Sequence, residues 1–265
     1  MINKVLDQGY VQFVDHWGSD ESIIEAARMS TGKGFKGWKD QWICSGYPDH
    51  IQPEKYTSFS NAGCAVCGAP MAMEKGDEHL LAYLYNNKHS TPFEMAGLVI
   101  EVKAPIFVFR EWHRHRTQSY NEMSARYIPL PDENYMPTLE RCLTGANTAT
   151  TNKQAQGSGV ILTSSQAMDW LEALEVLYKH SQEVYEHGIR IGIPKELARL
   201  PVPVARYSRM RASANLRNWL AFLTLRSASS AQWEIRAFAE EIGKLIEAHF
   251  PHTWKLFQLE QEKNK

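Results

Sequence analysis

Residues 98–127, LVIEVKAPIFVFREWHRHRTQSYNEMSARY, contain the passage that decides the fold. Ile100 and Val102 alternate with Glu101 and Lys103, the period-2 mark of a strand with one buried face. Pro105 disfavours helix at Ala104 but suits the first position of a new one, so residues 106–115 are predicted helical. This strand-to-helix passage delivers a polar run, Arg114 to Tyr127, holding Arg114, Arg116, Arg126, His115, Ser119, Asn121, Glu122 and Ser124. Arginine's planar fork matches phosphate and carboxylate oxygens bidentately, so the run reads as the floor of a site for a polyanionic small ligand, a nucleotide. The plainer reading is a solvated helix end. Against it, KAPIFVFREW before the run and YIPLP after it both read as buried. On a regular helix Arg114 and Arg116 point about 200° apart. Either the helix ends at His115, or the two arginines serve two ligands, as suits a site holding a cofactor and a substrate together.

Working outward, YVQFVDHWG reads as a strand, and Ser19 is an N-cap candidate for a helix from about Glu21 to Arg28. Residues 33–76 are rich in Gly, Pro, Ser and aromatics without a sustained period and read as an inserted loop or small subdomain in one domain spanning 1–265. From Asp77 a helix places Leu80, Leu81 and Leu84 on one face and ends near Asn86 and Asn87. The Thr-, Asn- and Gly-rich stretch from Cys142 to Gly159 reads as a mobile surface loop. Two long helices follow. One is capped by Ser164 or Ser165, carries Met168, Leu171, Leu174, Tyr178 and Tyr185 as a core stripe, and stops at Gly188. The other begins near Ser229 or Ser230 and stops at Pro251.

A chain of 265 residues, 43% of them hydrophobic, can bury a substantial core. Its formal net charge of -1, with basic residues spread along it, argues against a nucleic-acid or anionic-membrane surface as main partner. There is no apolar run of membrane-spanning length and no signal-like N-terminus, so a cytoplasmic location is expected. Four cysteines, Cys44, Cys64, Cys67 and Cys142, are poor evidence for a disulfide framework there. Cys64-Ala65-Val66-Cys67-Gly68 has the form of a zinc half-site with Cys44 and His50 as further ligands, and free loop thiols are the competing reading. No metal is assigned to the arginine-rich site.

The run Arg114-His115-Arg116, then seven residues, then Ser124, with Asn121 and Glu122 inside it and Arg126 after, resembles the signature of flavin-dependent thymidylate synthases. HSTPFE (89–94), ELARLPVP around Arg199, and NLRNWLAFLTLRSASSAQWEI (215–235) are similar to further blocks of that family in the same order. The resemblance implies an α+β fold: a mainly antiparallel central sheet wrapped by helices, two of them long and in the C-terminal half. It implies methylation of dUMP to dTMP with methylenetetrahydrofolate as carbon donor, FAD as cofactor and NADPH as reductant. It also implies a homotetramer with sites shared between subunits, and no nucleic-acid or membrane partner. By position, Arg226 is the residue that assists ionisation at the uracil N3, and Ser124 lies near the pyrimidine. Glu111, Arg114, Glu122, Met123, Ser124, Ala125, Arg126, Arg199 and Arg226 match the nucleotide site, with Arg126 and Arg199 best suited to the phosphate. Thr91, Arg114, His115, Arg116, Glu122, Asn215, Leu216 and Arg217 match flavin-contacting positions.

Two departures touch the cofactor side. Many members carry a histidine where this chain reads Ser227-Ala228-Ser229-Ser230, and Ala221 replaces the family's asparagine five positions before Arg226. Weaker flavin binding, or contacts from another residue, is expected. Related readings are action on another pyrimidine nucleotide, a hydroxymethyl product, or a non-catalytic nucleotide- or flavin-binding homologue.

Overall fold

The alternation read at residues 98–104 is a strand in which Leu98, Ile100, Val102 and Ala104 are buried and Val99, Glu101 and Lys103 are half-exposed. The computed structural model describes residues 2–47, 49–53, 63–146 and 161–263. Its strands and helices in chain order begin with β1 (Ile2–Val5), β2 (Gly9–Trp17), α1 (Asp20–Arg28), β3 (Gln41–Cys44), β4 (Ile51–Pro53), β5 (Met71–Glu74) and α2 (Asp77–Asn86). Next come β6 (Gly97–Pro105), α3 (Ile106–Trp112), β7 (Ser119–Glu122), α4 (Leu139–Ala146) and α5 (Ser164–Arg190). The C-terminal part has α6 (Lys195–Ala198), β8 (Tyr207–Asn215), α7 (Leu216–Arg226), α8 (Trp233–His249) and α9 (Pro251–Lys263). The mixed, antiparallel α+β class expected from the sequence is the class observed. Two compact units divide the chain, Met1–Asp15 with Leu98–Leu245, and His16–Gly97 with Ile246–Lys265.

In the first unit five strands form a sheet of order β1-β2-β6-β8-β7, with β1 antiparallel to β2 and β7 antiparallel to β8. Trp112, Trp219, Phe222 and Phe238 are fully buried, each burial favouring the fold by about 1.5–3 kcal/mol. Trp219 also donates its indole N–H to the Leu98 carbonyl at 2.9 Å. A Cβ at Gly9 would lie 2.7 Å from the Val5 oxygen, 2.8 Å from the Lys103 oxygen and 3.0 Å from the Phe238 ring, so β2 approaches its neighbours only with glycine there.

Pro105 caps α3 in an extended conformation rather than starting it. The first amides of α3, at Ile106 and Phe107, donate to the carbonyls of Arg206 and Val204, both at 2.9 Å. Here α3 ends at Trp112 with His113 as cap, earlier than the predicted His115, and Arg114 and Arg116 sit on the turn that follows. YIPLP is only partly buried: Tyr127 and Ile128 are exposed while Leu130 is covered. Residues 139–146, whose latter half is predicted as loop, are helical in α4, and the rest of that predicted loop, 147–159, lies outside the described residues.

Thr163, not Ser164 or Ser165, caps α5, through a capping box with Gln166, and the helix runs past Gly188 to Arg190. Its predicted core stripe is only partly core. Tyr185 is buried, Leu171, Leu174 and Tyr178 are half-buried, and Met168 is exposed. A neighbouring stripe at seven-residue spacing, Trp170, Leu177, Val184 and Ile191, is 52%, 56%, 44% and 60% exposed. By contrast α8 buries Ile235, Phe238, Ala239 and Ile242 completely.

In the second unit Ser19 caps α1 through Ser22, as predicted. The buried Asp20 carboxylate accepts from the Thr253 hydroxyl at 2.5 Å and from the amides of His252 and Thr253, tying α1 to the first turn of α9. Pro251 ends α8 and opens α9, a helix the sequence pattern does not separate. Arg28 pairs with the buried Asp77 at the start of α2. The insertion holds a second, three-stranded antiparallel sheet of order β4-β3-β5, and its residues 54–62 lie outside the described part. Among the described residues no helix is long and apolar enough to cross a membrane.

Candidate active site

Helix α3 sorts the polar residues of the first unit onto two faces. Ile106, Phe109, Arg110 and His113, at helical spacing, face a cavity of about 480 Å³. Glu122, Met123, Ser124 and Ala125 form a second wall, running off the end of β7, and Arg199 comes in from the cap of α6. Leu130, Val202 and Ser208 complete the lining.

Pairing of β7 with β8 sets the second wall: Glu122 lies opposite Met210, and the Met123 amide donates to the Arg209 carbonyl at 2.8 Å. Beyond it, the Ser124 Oγ accepts the Arg126 amide at 3.3 Å and the Ser124 carbonyl accepts from Tyr127 and Ile128. That local turn is what aims residues 123–125 at the cavity. Arg206, fully buried, donates to the Pro131 carbonyl at 2.6 Å and to Gln182 at 2.8 Å, and lies 3.1 Å from the Asp132 carboxylate. It anchors the stretch carrying Leu130 against α5. Ser208 is buried and its hydroxyl has no partner among the described residues. A buried hydroxyl at a cavity wall costs about 1–3 kcal/mol unless something bonds it, which favours an occupant that does.

The other face of α3 carries Glu111. Arg226, at the C-terminal end of α7, is clamped there: Nη1 pairs with the Glu111 carboxylate, Nη2 donates to the Glu111 carbonyl at 3.3 Å, and Nε donates to His115 Nε2 at 2.8 Å. Burial and the Arg226 cation beside it push the His115 pKa down to about 4, so near neutral pH the ring is an acceptor. Only part of the guanidinium's donor fork is used in this clamp. The Phe222 ring meets His115 edge to face at 4.8 Å, and Tyr120 donates to its carbonyl at 2.6 Å.

Of the residues singled out by sequence, the cavity therefore joins Glu122, Met123, Ser124, Ala125 and Arg199, while Glu111, His115 and Arg226 form a separate cluster. Arg126 does not line the cavity; it is exposed and pairs with Glu196 on α6 at 3.0 Å. Arg114 and Arg116 are exposed on the turn after α3. Asn218 donates from its side chain to the Thr117 carbonyl at 3.1 Å, which brings that turn to the start of α7, where Arg217 is exposed. Asn215 spends its side-chain oxygen capping α7 through the Asn218 amide, and the Leu216 side chain is fully buried, so these two have mainly backbone to offer a ligand. Thr91 belongs to the second unit, in a 3-10 turn over Thr91–Glu94. Sequence reasoning missed Arg110, His113 and Ser208. The first two stand one helical turn apart on the α3 face that carries Ile106 and Phe109, a spacing visible in the sequence.

Two arginines, Arg110 and Arg199, line this cavity together with Glu122, Ser124 and Ser208, a lining that suits an anionic small molecule. The family described as thymidylate synthase complementing protein matches residues 12–252. A flavin-dependent thymidylate synthase of Thermosipho melanesiensis is 34% identical over 96% of this chain and 92% of its own length. One from Thermus thermophilus is 35% identical over 96% of this chain and 77% of its own. Among solved structures, the UMP/dUMP methylase PolB of Streptomyces cacaoi with 5-Br dUMP superposes with a TM-score of 0.71 at 27% identity, covering 97% of each chain. Its 5-Br UMP complex gives 0.70 at 26% identity, covering 97% of this chain and 96% of the other. The chain belongs to the family of flavin-dependent thymidylate synthases.

Proposed function

We propose that the protein methylates C5 of dUMP to give dTMP, taking the carbon from methylenetetrahydrofolate, with FAD as its flavin and NADPH as the reductant. The observation that carries this reading is the cavity where residues 122–125 meet Arg199, with Arg226 held in a rigid clamp nearby in the same unit. Arg199 and Arg110 supply positive charge for a phosphate. Arg126 joins them by exchanging Glu196, since an exposed pair of that kind is worth only about 0–1 kcal/mol. Ala125 leaves room for a planar ring beside Ser124, and Ser124 Oγ serves as a hydrogen-bonding group to the pyrimidine.

Uracil C5 becomes a better nucleophile when negative charge at N3 is stabilised. A guanidinium at the ring edge does this electrostatically, the role of Arg226, and Glu111 and His115 fix its plane so that little reorganisation is needed. Exposed Arg114 and Arg116, brought to the α7 N-terminus near Arg217, form a donor set suited to the FAD pyrophosphate. His115 and the backbone at Asn215 and Leu216 border that place, and Glu122 is a further contact; Thr91 is kept as a flavin contact on the family resemblance alone. When bound and reduced, the flavin supplies the hydride that completes the methyl group.

Arg226 and the cavity lie on different faces of α3, and α5 presents an apolar stripe to solvent. Both features support a homotetramer in which Arg226 of one copy serves a nucleotide held by another.

Purified protein is expected to be yellow, to be bleached by NADPH, and to release tritium from 5-labelled dUMP only with methylenetetrahydrofolate present, yielding dTMP by mass. Folded protein with neither flavin chemistry nor release would contradict the proposal. A second reading, action on UMP as well, is favoured by the likeness to PolB, titled a UMP/dUMP methylase. Comparable turnover of UMP would select it.

A further inference from the structure

Outside the segments that carry the resemblance, the insertion brings Cys44, His50, Cys64 and Cys67 together, with their ligand atoms all within 4.8 Å of one another. We propose that these four side chains bind a structural zinc ion that closes the β3-β4-β5 subdomain. Cys44 Sγ and Cys67 Sγ are 3.3 Å apart, and Cys64 Sγ lies 3.6 Å from His50 Nδ1. Tetrahedral zinc, with bonds of about 2.3 Å to sulfur and 2.0–2.1 Å to imidazole nitrogen, sets neighbouring ligands about 3.5–3.8 Å apart. The cluster is within a small adjustment of that, whereas a disulfide needs sulfurs at about 2.05 Å.

The backbone is shaped for the same purpose. Cys64 and Cys67 sit on a tight turn closed by Gly68 N–H to the Cys64 carbonyl and Cys64 N–H to the Ala69 carbonyl, both at 2.7 Å. Gly68 has φ of +72°, and a Cβ on Gly63 would lie 2.3 Å from the Gly68 oxygen, so both positions require glycine. The amides of Val66 and Cys67 donate toward the Cys64 sulfur, and that of Ala69 toward Cys67. Such N–H groups stabilise and orient thiolates around a metal. Opposite them, the β3-β4 hairpin supplies Cys44 and His50, with the Cys44 amide on the His50 carbonyl at 3.3 Å. Ser45 N–H to the Pro70 carbonyl at 2.9 Å ties the two turns together.

The subdomain also needs a fastening. Its described strands are three or four residues long, and Ile51, Val66 and Met73 are exposed rather than packed, while Cys44 and Cys64 are buried. A sheet this small with so little apolar burial is marginal on its own. Three sulfurs and one imidazole select zinc over magnesium or calcium, and four protein ligands leave no open position for catalysis, so the role is structural.

The test measures metal in full-length protein purified without chelator. About one zinc per chain is expected, kept in Cys142→Ser, a cysteine of the first unit, and lost in Cys64→Ser with Cys67→Ser. To guard against misfolding of the double variant, wild-type protein is also stripped and refilled with cobalt(II). Absorption of tetrahedral cobalt-thiolate, at wavelengths longer than a flavin absorbs, is expected to grow to one equivalent. Absence of stoichiometric zinc together with absence of the cobalt bands would overturn the proposal. So would zinc retained undiminished in the double variant, stoichiometric iron in its place, or a Cys44–Cys67 disulfide in freshly purified protein.

Discussion

Helices α5 and α8 carry similar amphipathic patterns and meet opposite fates. Along α8, Ile235, Phe238, Ala239 and Ile242 are fully buried, and Phe238 packs near Gly9 of β2 and edge to face on Trp112 of α3 at 6.4 Å. Along α5, Tyr185 and Ala167 are buried, but Trp170, Leu177, Val184 and the C-cap residue Ile191 face solvent. Hydrophobic periodicity states that a helix face will be covered, not by what. The cover for α8 is this chain's own sheet; for α5, a second copy is proposed.

The sharpest way to break this contrast is Phe238→Ala, which should cost about 3–5 kcal/mol by leaving a cavity beside Trp112 and Gly9. Denaturant unfolding measures it, and Leu177→Ala in dilute, dissociated protein should cost far less. A loss of similar size at both positions would mean that α5 is held by its own chain. Next in size is Leu177→Lys with Val184→Glu. These changes should reduce the assembly to smaller species by light scattering and remove most dTMP formation, while far-ultraviolet circular dichroism stays unchanged. Persistence of a tetramer in this variant would refute the assignment of the stripe.

A smaller effect concerns the clamp between the helices. The native pKa of His115 lies at about 4 against an ordinary 6.5, so between those values the unfolded chain binds a proton that the native chain does not. Stability from this group is therefore complete above about pH 6.5 and is lost as pH falls toward 4. In His115→Gln the amide oxygen still accepts from Arg226 but cannot titrate. Thermal midpoints of the variant should fall less steeply than wild type across that window, and parallel curves would argue against a neutral, buried His115.

Much of this was legible in sequence where one element carries its own period. The half-buried strand β6, helix α2 and the capped start of α1 depend on nearest neighbours. Strand β7 was not legible, because SYNE is polar and half-exposed or exposed and becomes a strand only through its register with β8. For β8 a signal existed: Met210, Ala212 and Ala214 are buried while Arg209 and Arg211 are exposed. Leaving it unread also hid Ser208, and with it part of the cavity wall. In the site, residues 122–125 and Arg199 stood in recognisable motifs, whereas the separation of Arg226 from that cavity is a property of which α3 face each residue takes. The cysteine cluster lay between: all four candidate ligands, Cys64 and Cys67 with Cys44 and His50, were named from the sequence, but their convergence depends on the β3-β4 hairpin and on the turn before β5, short elements that carry no period.

If each nucleotide is held by one copy and activated by another, two defects placed on different chains should complement. Arg199→Ala and Arg226→Ala are each expected to be nearly inactive, the latter by about 10²–10³ in kcat. Co-expressed and purified as mixed oligomers through two affinity tags, they should regain a measurable fraction of wild-type dTMP formation, because some sites receive both intact arginines. Mixed oligomers that form and remain as inactive as either parent would contradict the shared site.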